Sequence, residues 1–138
     1  MKYIGLDLGN RTCGVAISDS LGMIATRVET IRYFEKDLDE CLEKVMKMIE
    51  EKHAEKIVMG YPLNMNGTVG PQAEFVIKFK EMLEKATGLE VILYDERLTT
   101  VEVQKVMIAG DVTRHKRKNV VDALAATLIL QSYLDSLR

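Results

Sequence analysis

Four carboxylates in this chain stand where a carboxylate is costly to place. Asp7 interrupts the apolar run from Tyr3 to Leu8 and is followed by Gly9 and Gly14, Asp95 and Glu96 close the apolar run that begins at Val91, and Asp122 opens the stretch Asp-Ala-Leu-Ala-Ala-Thr-Leu-Ile-Leu. In open α/β sheets, sites are built at strand ends near a reversal of strand order. Carboxylates converging there are oxygen ligands for a hard cation such as Mg²⁺, and two ions about 4 Å apart can activate water and steady the leaving oxygen of a phosphodiester. The pattern points to metal-assisted phosphodiester chemistry.

Each acid also has a plainer reading. An Asp before Gly at a strand end serves turn chemistry, Glu96 can pair with Arg97 or a lysine at the surface, and an Asp in the first turn of the last helix complements the helix dipole. The spacing after Asp122 weakens the last of these. Ala125 and Ala126, Ile129 and Tyr133 follow one, two and three turns along, an apolar stripe with its small residues nearest the acid. Such a stripe packs on a sheet, so Asp122 is expected to point inward, where an unpaired charge costs several kcal/mol.

The elements that must position these acids follow from periodicity. Residues 3 to 8, 14 to 18 and about 25 to 33 read as an antiparallel meander of three short strands, the first two separated by the turn residues Gly9 and Asn10. Leu38, Leu42, Val45, Met46 and Ile49 recur at helical spacing over about 35 to 52, with His53 at the end. Lys56 to Gly60 reads as a buried strand, Tyr61 to Gly70 as a loop, and Phe75, Val76, Phe79, Met82 and Leu83 as a second helix ended by Gly88. Val91 to Tyr94 is the next strand. Thr99 and Glu102 have the spacing of a capping box, opening a helix through Val103, Val106 and Met107 to Gly110. Arg114 to Lys118 reads as a polar loop and Asn119 to Leu137 as the last helix. The expected fold is α/β: a mixed five-stranded sheet, three antiparallel strands extended by two parallel ones, with helices on both faces.

With 138 residues, 47% apolar and 29% charged, the chain has the length and balance of one globular domain, expected to span residues 1 to 138. Folding at this size removes roughly two-thirds of the unfolded surface from water, so no staple is required. Cys13 and Cys41 form no CxxC, and His53 and His115 are the only histidines. A zinc finger, a thioredoxin-like redox site and a disulfide scaffold are thereby disfavoured. Cys41, with Met46, Met59, Met82 and Met107, reads as core. No apolar stretch is long enough to span a bilayer and no h-region follows the first residues, so a cytoplasmic protein without a membrane partner is expected. The net charge of −2 supplies no general attraction for a polyanion, which leaves a local patch. That patch is Arg114-His115-Lys116-Arg117-Lys118. Charge runs are ordinarily solvated surface, but one directly before the helix carrying Asp122 suits a phosphate backbone. His115 reads as a solvated residue of that run.

Taken together, IGLDLGNRTCGVAISD (residues 4 to 19), GYPLNMNGTVGPQA (60 to 73), DERLTT (95 to 100) and DALAATLILQ (122 to 131) resemble the YqgF/RuvX family, over nearly the entire chain. The resemblance implies a ribonuclease H-like fold and a nuclease, described as Holliday-junction-resolvase-like and as trimming the 5′ end of the 16S rRNA precursor in bacteria. It implies a metal-binding catalytic triad of Asp7, Glu96 and Asp122, with Mg²⁺ as cofactor and Mn²⁺ as a substitute. Asp95 is second choice, since a continuing strand turns it to the opposite side from Glu96. The chain departs from the family pattern at Cys13, where an aliphatic residue is expected, and at Asn66, where the loop's Asn-Met-Asp-Gly-Thr form has Asp. Neither change removes a triad acid.

The nucleic-acid-binding set is expected to comprise Arg11, Asn64, Arg97, Arg114, Lys116, Arg117 and Lys118, with precursor rRNA or branched DNA as partner and room for a homodimer. Amides freed by Gly9 and Gly14 after the first strand offer phosphate contacts, with a plain tight turn as the alternative. Asn64, Asn66 and Thr68 offer neutral hydrogen bonds beside the strand ends, although an Asn-Gly turn explains part of that composition. Two other classes compete. The Asp-x-Gly turn also opens the phosphate loop of actin-like and sugar-kinase ATPases, which need two such domains and more chain, and which an ATP-dependent thermal shift would reveal. A nuclease-like module that binds without cutting is the other, and the presence of all three acids argues against it.

Overall fold

The computed structural model describes residues 1–98 and 114–137, with side chains given for all of these except 98 and 114–123. The elements run β1 (Tyr3–Leu8), β2 (Thr12–Ser18), β3 (Ala25–Arg32), α1 (Leu38–Lys52), β4 (Lys56–Tyr61), α2 (Pro71–Thr87), β5 (Val91–Asp95), a 3-10 turn (Glu96–Leu98) and α3 (Arg114–Ser136). The five strands form one sheet in the order β3-β2-β1-β4-β5. β1, β2 and β3 pair antiparallel, and β4 and β5 extend the sheet in parallel with β1. This is the mixed sheet expected from the sequence, and β1 lies where strand direction and chain order change.

Local signals set the boundaries. Asp37 accepts the amide of Glu40 and caps α1. Pro71 opens α2, and Gly88 closes it in the left-handed conformation with its N–H on the Glu84 carbonyl. The inward face of α1 carries Cys41 and Met48 with Leu38, Val45 and Ile49, while Met46 is only half-buried. Both cysteines are free and buried.

Alternation along β1 sorts the core into two layers. Ile4, Leu6 and Leu8, with Ile57 and Met59 of β4, pack against α1 and α2 through Val45, Ile49, Val76, Phe79 and Leu83. Tyr3, Ala16 and Val58 on the other face pack against Ala126, Ile129, Leu130 and Leu134 of α3. Each fully buried aliphatic side chain contributes about 1.5–3 kcal/mol. Among the described residues no helix is long and apolar enough to cross a membrane.

Two sequence expectations need restating. The run Arg114 to Lys118 is not a loop but the first turns of α3, because lysine and arginine are good helix formers and no Gly or Pro interrupts the chain from 114 to 136. Asp122 consequently lies eight residues into α3, beyond the reach of the helix dipole. The helix expected over Thr99 to Gly110 lies outside the described residues.

α3 crosses the sheet closely and in the opposite direction to β1. A Cβ on Gly5 would sit 2.8 Å from Leu130 Cβ and 3.1 Å from the Ala126 carbonyl. The Tyr3 and Tyr133 rings meet edge-on at 5.9 Å. Gln131 fastens the helix to the start of β3, accepting from Ala25 N at 2.9 Å and donating to the Met23 carbonyl at 3.1 Å.

Candidate active site

The parallel run of β1, β4 and β5 brings their carboxyl ends side by side. Leu6 is level with Met59, and Gly60 with Tyr94, so Asp7, Gly60 and the end of β5 form adjacent positions on one rim. Asp7 shares its face with Gly5, the face that receives α3. The chain leaves β5 through the Glu96–Leu98 turn, and the Glu96 carboxylate comes over Gly60, where a Cβ would overlap its Oε2 and lie 2.7 Å from Ile129 Cδ1. There Glu96 shares a hydrogen bond with Asp7. A bond between two carboxyls requires a proton on one of them.

Burial pushes the Glu96 carboxyl above its ordinary range, the Asp7 hydrogen bond opposes this, and the nearby charge of Asp95 adds to the rise. A carboxyl whose folded-state pKa is raised contributes stability that is fully present below its unfolded value and is lost as pH rises through the raised value. Without metal, the stability difference between wild type and Glu96→Gln should therefore favour wild type most at acid pH and decline as pH rises from the ordinary glutamate range through the raised one. Melting temperatures of both proteins across that range check the sign, and a difference that grows with pH would contradict the assignment.

Asp95 turns the other way. Its carboxylate takes Arg97 Nε at 3.0 and 2.8 Å and Nη2 at 2.6 Å, and this bond to the guanidinium holds Asp95 below the usual carboxylate range. The surface pairing considered for Glu96 is made by Asp95 instead.

The remaining expected site residues divide. Arg11 is exposed and bonded to Glu35 at 3.1 Å, in a turn stitched to the β3–α1 connection by Tyr33 N–H on the Arg11 carbonyl and Lys36 N–H on the Asn10 carbonyl. The Gly9 amide is spent on the Thr12 carbonyl at 2.7 Å, and Gly14 lies inside β2 opposite Asp7. The Gly9 amide is thus engaged within the turn itself. Asn64 is exposed and donates to Thr68 Oγ1 at 3.0 Å. The side chains of Asp122, Arg114, Lys116, Arg117 and Lys118 lie outside the described residues, although their backbone is in α3.

Three contributors escaped the sequence reading. Gly60 leaves the space that Glu96 fills, and a glycine ending an apolar strand is the signal of such close approach. The Tyr33 hydroxyl donates to the Gly9 carbonyl and Gln72 Nε2 to the Leu8 carbonyl at 3.2 Å. Both brace the β1 end, and neither carries a mark in sequence.

Two hydrogen-bonded, half-buried carboxylates form an all-oxygen donor pair that suits a hard divalent cation. Among the described side chains no group of three His, Cys, Asp or Glu gathers in one place.

Known proteins resemble this chain over nearly its whole length. The family described as RuvX, Holliday junction resolvase, matches residues 1–136. A Bacillus subtilis protein is 49% identical over 99% of both chains, and one from Carboxydothermus hydrogenoformans is 49% identical over 98% of this chain and 96% of its own; both carry the name "Putative pre-16S rRNA nuclease". Among solved structures, Thermus thermophilus RuvC with a Holliday junction substrate aligns over 97% of this chain and 96% of its own at a TM-score of 0.59 and 13% identity. The fowlpox virus Holliday junction resolvase covers 100% of both chains at 0.58 and 16%. At those identities the likeness shows a shared fold.

Proposed function

Since this chain belongs to the RuvX family, we propose that it is a divalent-metal-dependent endonuclease that processes the 5′ end of precursor 16S rRNA, with Asp7, Glu96 and Asp122 as its catalytic carboxylates. The observation that carries this reading is the convergence of Asp7, from β1, and Glu96, from the turn after β5, into hydrogen-bonding contact on the face covered by α3.

Backbone placement supports Asp122 as the third acid. α3 runs opposite to β1, with Tyr133 at Tyr3 and Ala126 at Gly5. Four residues of helix rise about 6 Å, which matches the roughly 6.6 Å that two strand residues span from Gly5 to Asp7. Asp122, one turn before Ala126, therefore falls at the Asp7 end. Three carboxylates there would hold Mg²⁺, or Mn²⁺ in its place, and the bound cation supplies Lewis-acid activation of water and stabilisation of charge on the leaving oxygen. The chain's own part is to fix the carboxylates, to keep α3 pressed on the sheet through Gly5 and Gly60, and to seat the nucleic acid.

Arg114, Lys116, Arg117 and Lys118 in the first turns of α3 are assigned to the phosphate backbone. Changing all four to Ala should weaken binding of a precursor 5′-end RNA and flatten its dependence on salt, the slope falling by about one for each phosphate that is no longer neutralised. An unchanged slope would show the run to be ordinary surface.

The family description favours a second reading, a four-way DNA junction as substrate. Cleavage by the purified protein with and without Mg²⁺, on a precursor 16S 5′-end RNA and on a four-way junction, decides between them. Selective cutting of the RNA supports the first reading and selective cutting of the junction the second, while cutting of neither contradicts the nuclease assignment.

A further inference from the structure

The loop between β4 and α2 closes on itself at its tip. Asn64 N–H donates to the Thr68 carbonyl at 2.9 Å and Gly67 N–H to the Asn64 carbonyl at 2.8 Å, while Thr68 donates from both its amide, at 3.1 Å, and its hydroxyl, at 2.6 Å, to Asn66 Oδ1. Gly67 makes the reversal at φ +85, and a Cβ on it would lie 3.5 Å from Arg97 Nη1. That same Nη1 donates to the Met65 carbonyl at 3.3 Å. The rest of the guanidinium is held from behind by the Asp95 carboxylate, which also accepts the Arg97 amide at 3.0 Å.

We infer that Arg97 is a positioning residue: with Asp95 as its anchor it straps the Asn64–Thr68 tip to the end of β5, and so sets where that loop meets the nucleic acid. The inference rests on the nuclease reading for its consequence in binding, and it reassigns Arg97 from the phosphate-contacting set. A guanidinium already paired with a carboxylate along its Nε–Nη2 edge presents little net charge to a phosphate. The planar fork reaches Asp95 and Met65 together, which a lysine ammonium cannot do. Bidentate geometry of this kind is the case in which an exposed ion pair has a measurable effect.

The strap makes substitutions at its two ends equivalent. In the full chain, Arg97→Lys and Asp95→Asn should each speed amide exchange across residues 64 to 68 by roughly tenfold. Both should weaken binding of a precursor 16S 5′-end RNA, the combined variant should be no weaker than either alone, and the salt slope should stay at the wild-type value. Wild-type exchange in both variants overturns the strap, whatever the nucleic acid does. It is equally overturned if Arg97→Lys binds like wild type while Arg97→Ala lowers the salt slope by about one, the behaviour of a direct phosphate contact. Should the wild type bind neither that RNA nor a four-way junction, the nuclease reading fails and the exchange measurement still decides the strap.

Discussion

Glu96→Gln is expected to leave a folded protein, at least as stable as wild type at neutral pH without metal, whose Mg²⁺-dependent cleavage is about 10³-fold slower. The substitution keeps the shape that sits over Gly60 and the hydrogen bond to Asp7, with the amide as donor. It removes the carboxyl that burial and the charge of Asp95 make costly to ionise. Stability and activity should therefore part company, which is the signature of a group retained for chemistry. Asp7→Asn should behave alike, because either change leaves one carboxylate of the pair. Melting temperature without metal and single-turnover cleavage with saturating Mg²⁺ read the two effects. A variant that is destabilised yet cuts at the wild-type rate once folded would make Glu96 a structural residue.

Gly60→Ala should carry the second largest effect, for a steric reason. The added methyl overlaps Glu96 Oε2 and comes within 2.7 Å of Ile129 Cδ1. The isoleucine end can rotate away, but the carboxylate has to leave its place beside Asp7. Overpacking of this kind costs about 1–3 kcal/mol, and a displacement near 1 Å at a catalytic group costs about 10²-fold in rate. Gly5→Ala is the matched control. Its methyl meets the Leu130 Cβ and the Ala126 carbonyl, backbone-borne atoms of α3 that cannot rotate aside, so it should lose more stability than Gly60→Ala. Thermal unfolding and cleavage of the folded fraction compare them. Equal specific activity in Gly60→Ala and wild type would show that Glu96 tolerates displacement, contrary to the role given to it.

The strands and their directions were legible because alternation and turn residues are local signals: β1, the meander and the two parallel strands sit where periodicity placed them. Asp7 and Glu96 stood out because acids at the ends of apolar runs are anomalous within their own segments. Their contact with each other was not visible, since it depends on sheet order and on the 3-10 turn that carries Glu96 round. The partner of Arg97 was hidden for a related reason. Sequence shows a cation beside two acids, and only the structure shows that Asp95, not Glu96, holds it. The run from Arg114 to Lys118 was read as a loop because charge density resembles solvated coil, whereas helix propensity and the absence of any breaker carry α3 through it. Gly60 carried a signal, a glycine ending a buried strand, whose meaning appeared only once Glu96 was found above it.

Joint action of three carboxylates, from β1, the end of β5 and α3, on a phosphodiester is what the proposed function stands on. The most direct test is Mg²⁺-dependent cleavage of a precursor 16S 5′-end RNA by the wild type and by Asp122→Asn, with the melting temperature of each measured without metal. The wild type should cut only when a divalent cation is present, and Asp122→Asn should be a folded protein of undiminished stability that binds the RNA but does not cut it. Cutting by Asp122→Asn at the wild-type rate, or by the wild type in the presence of a chelator, would contradict the assignment.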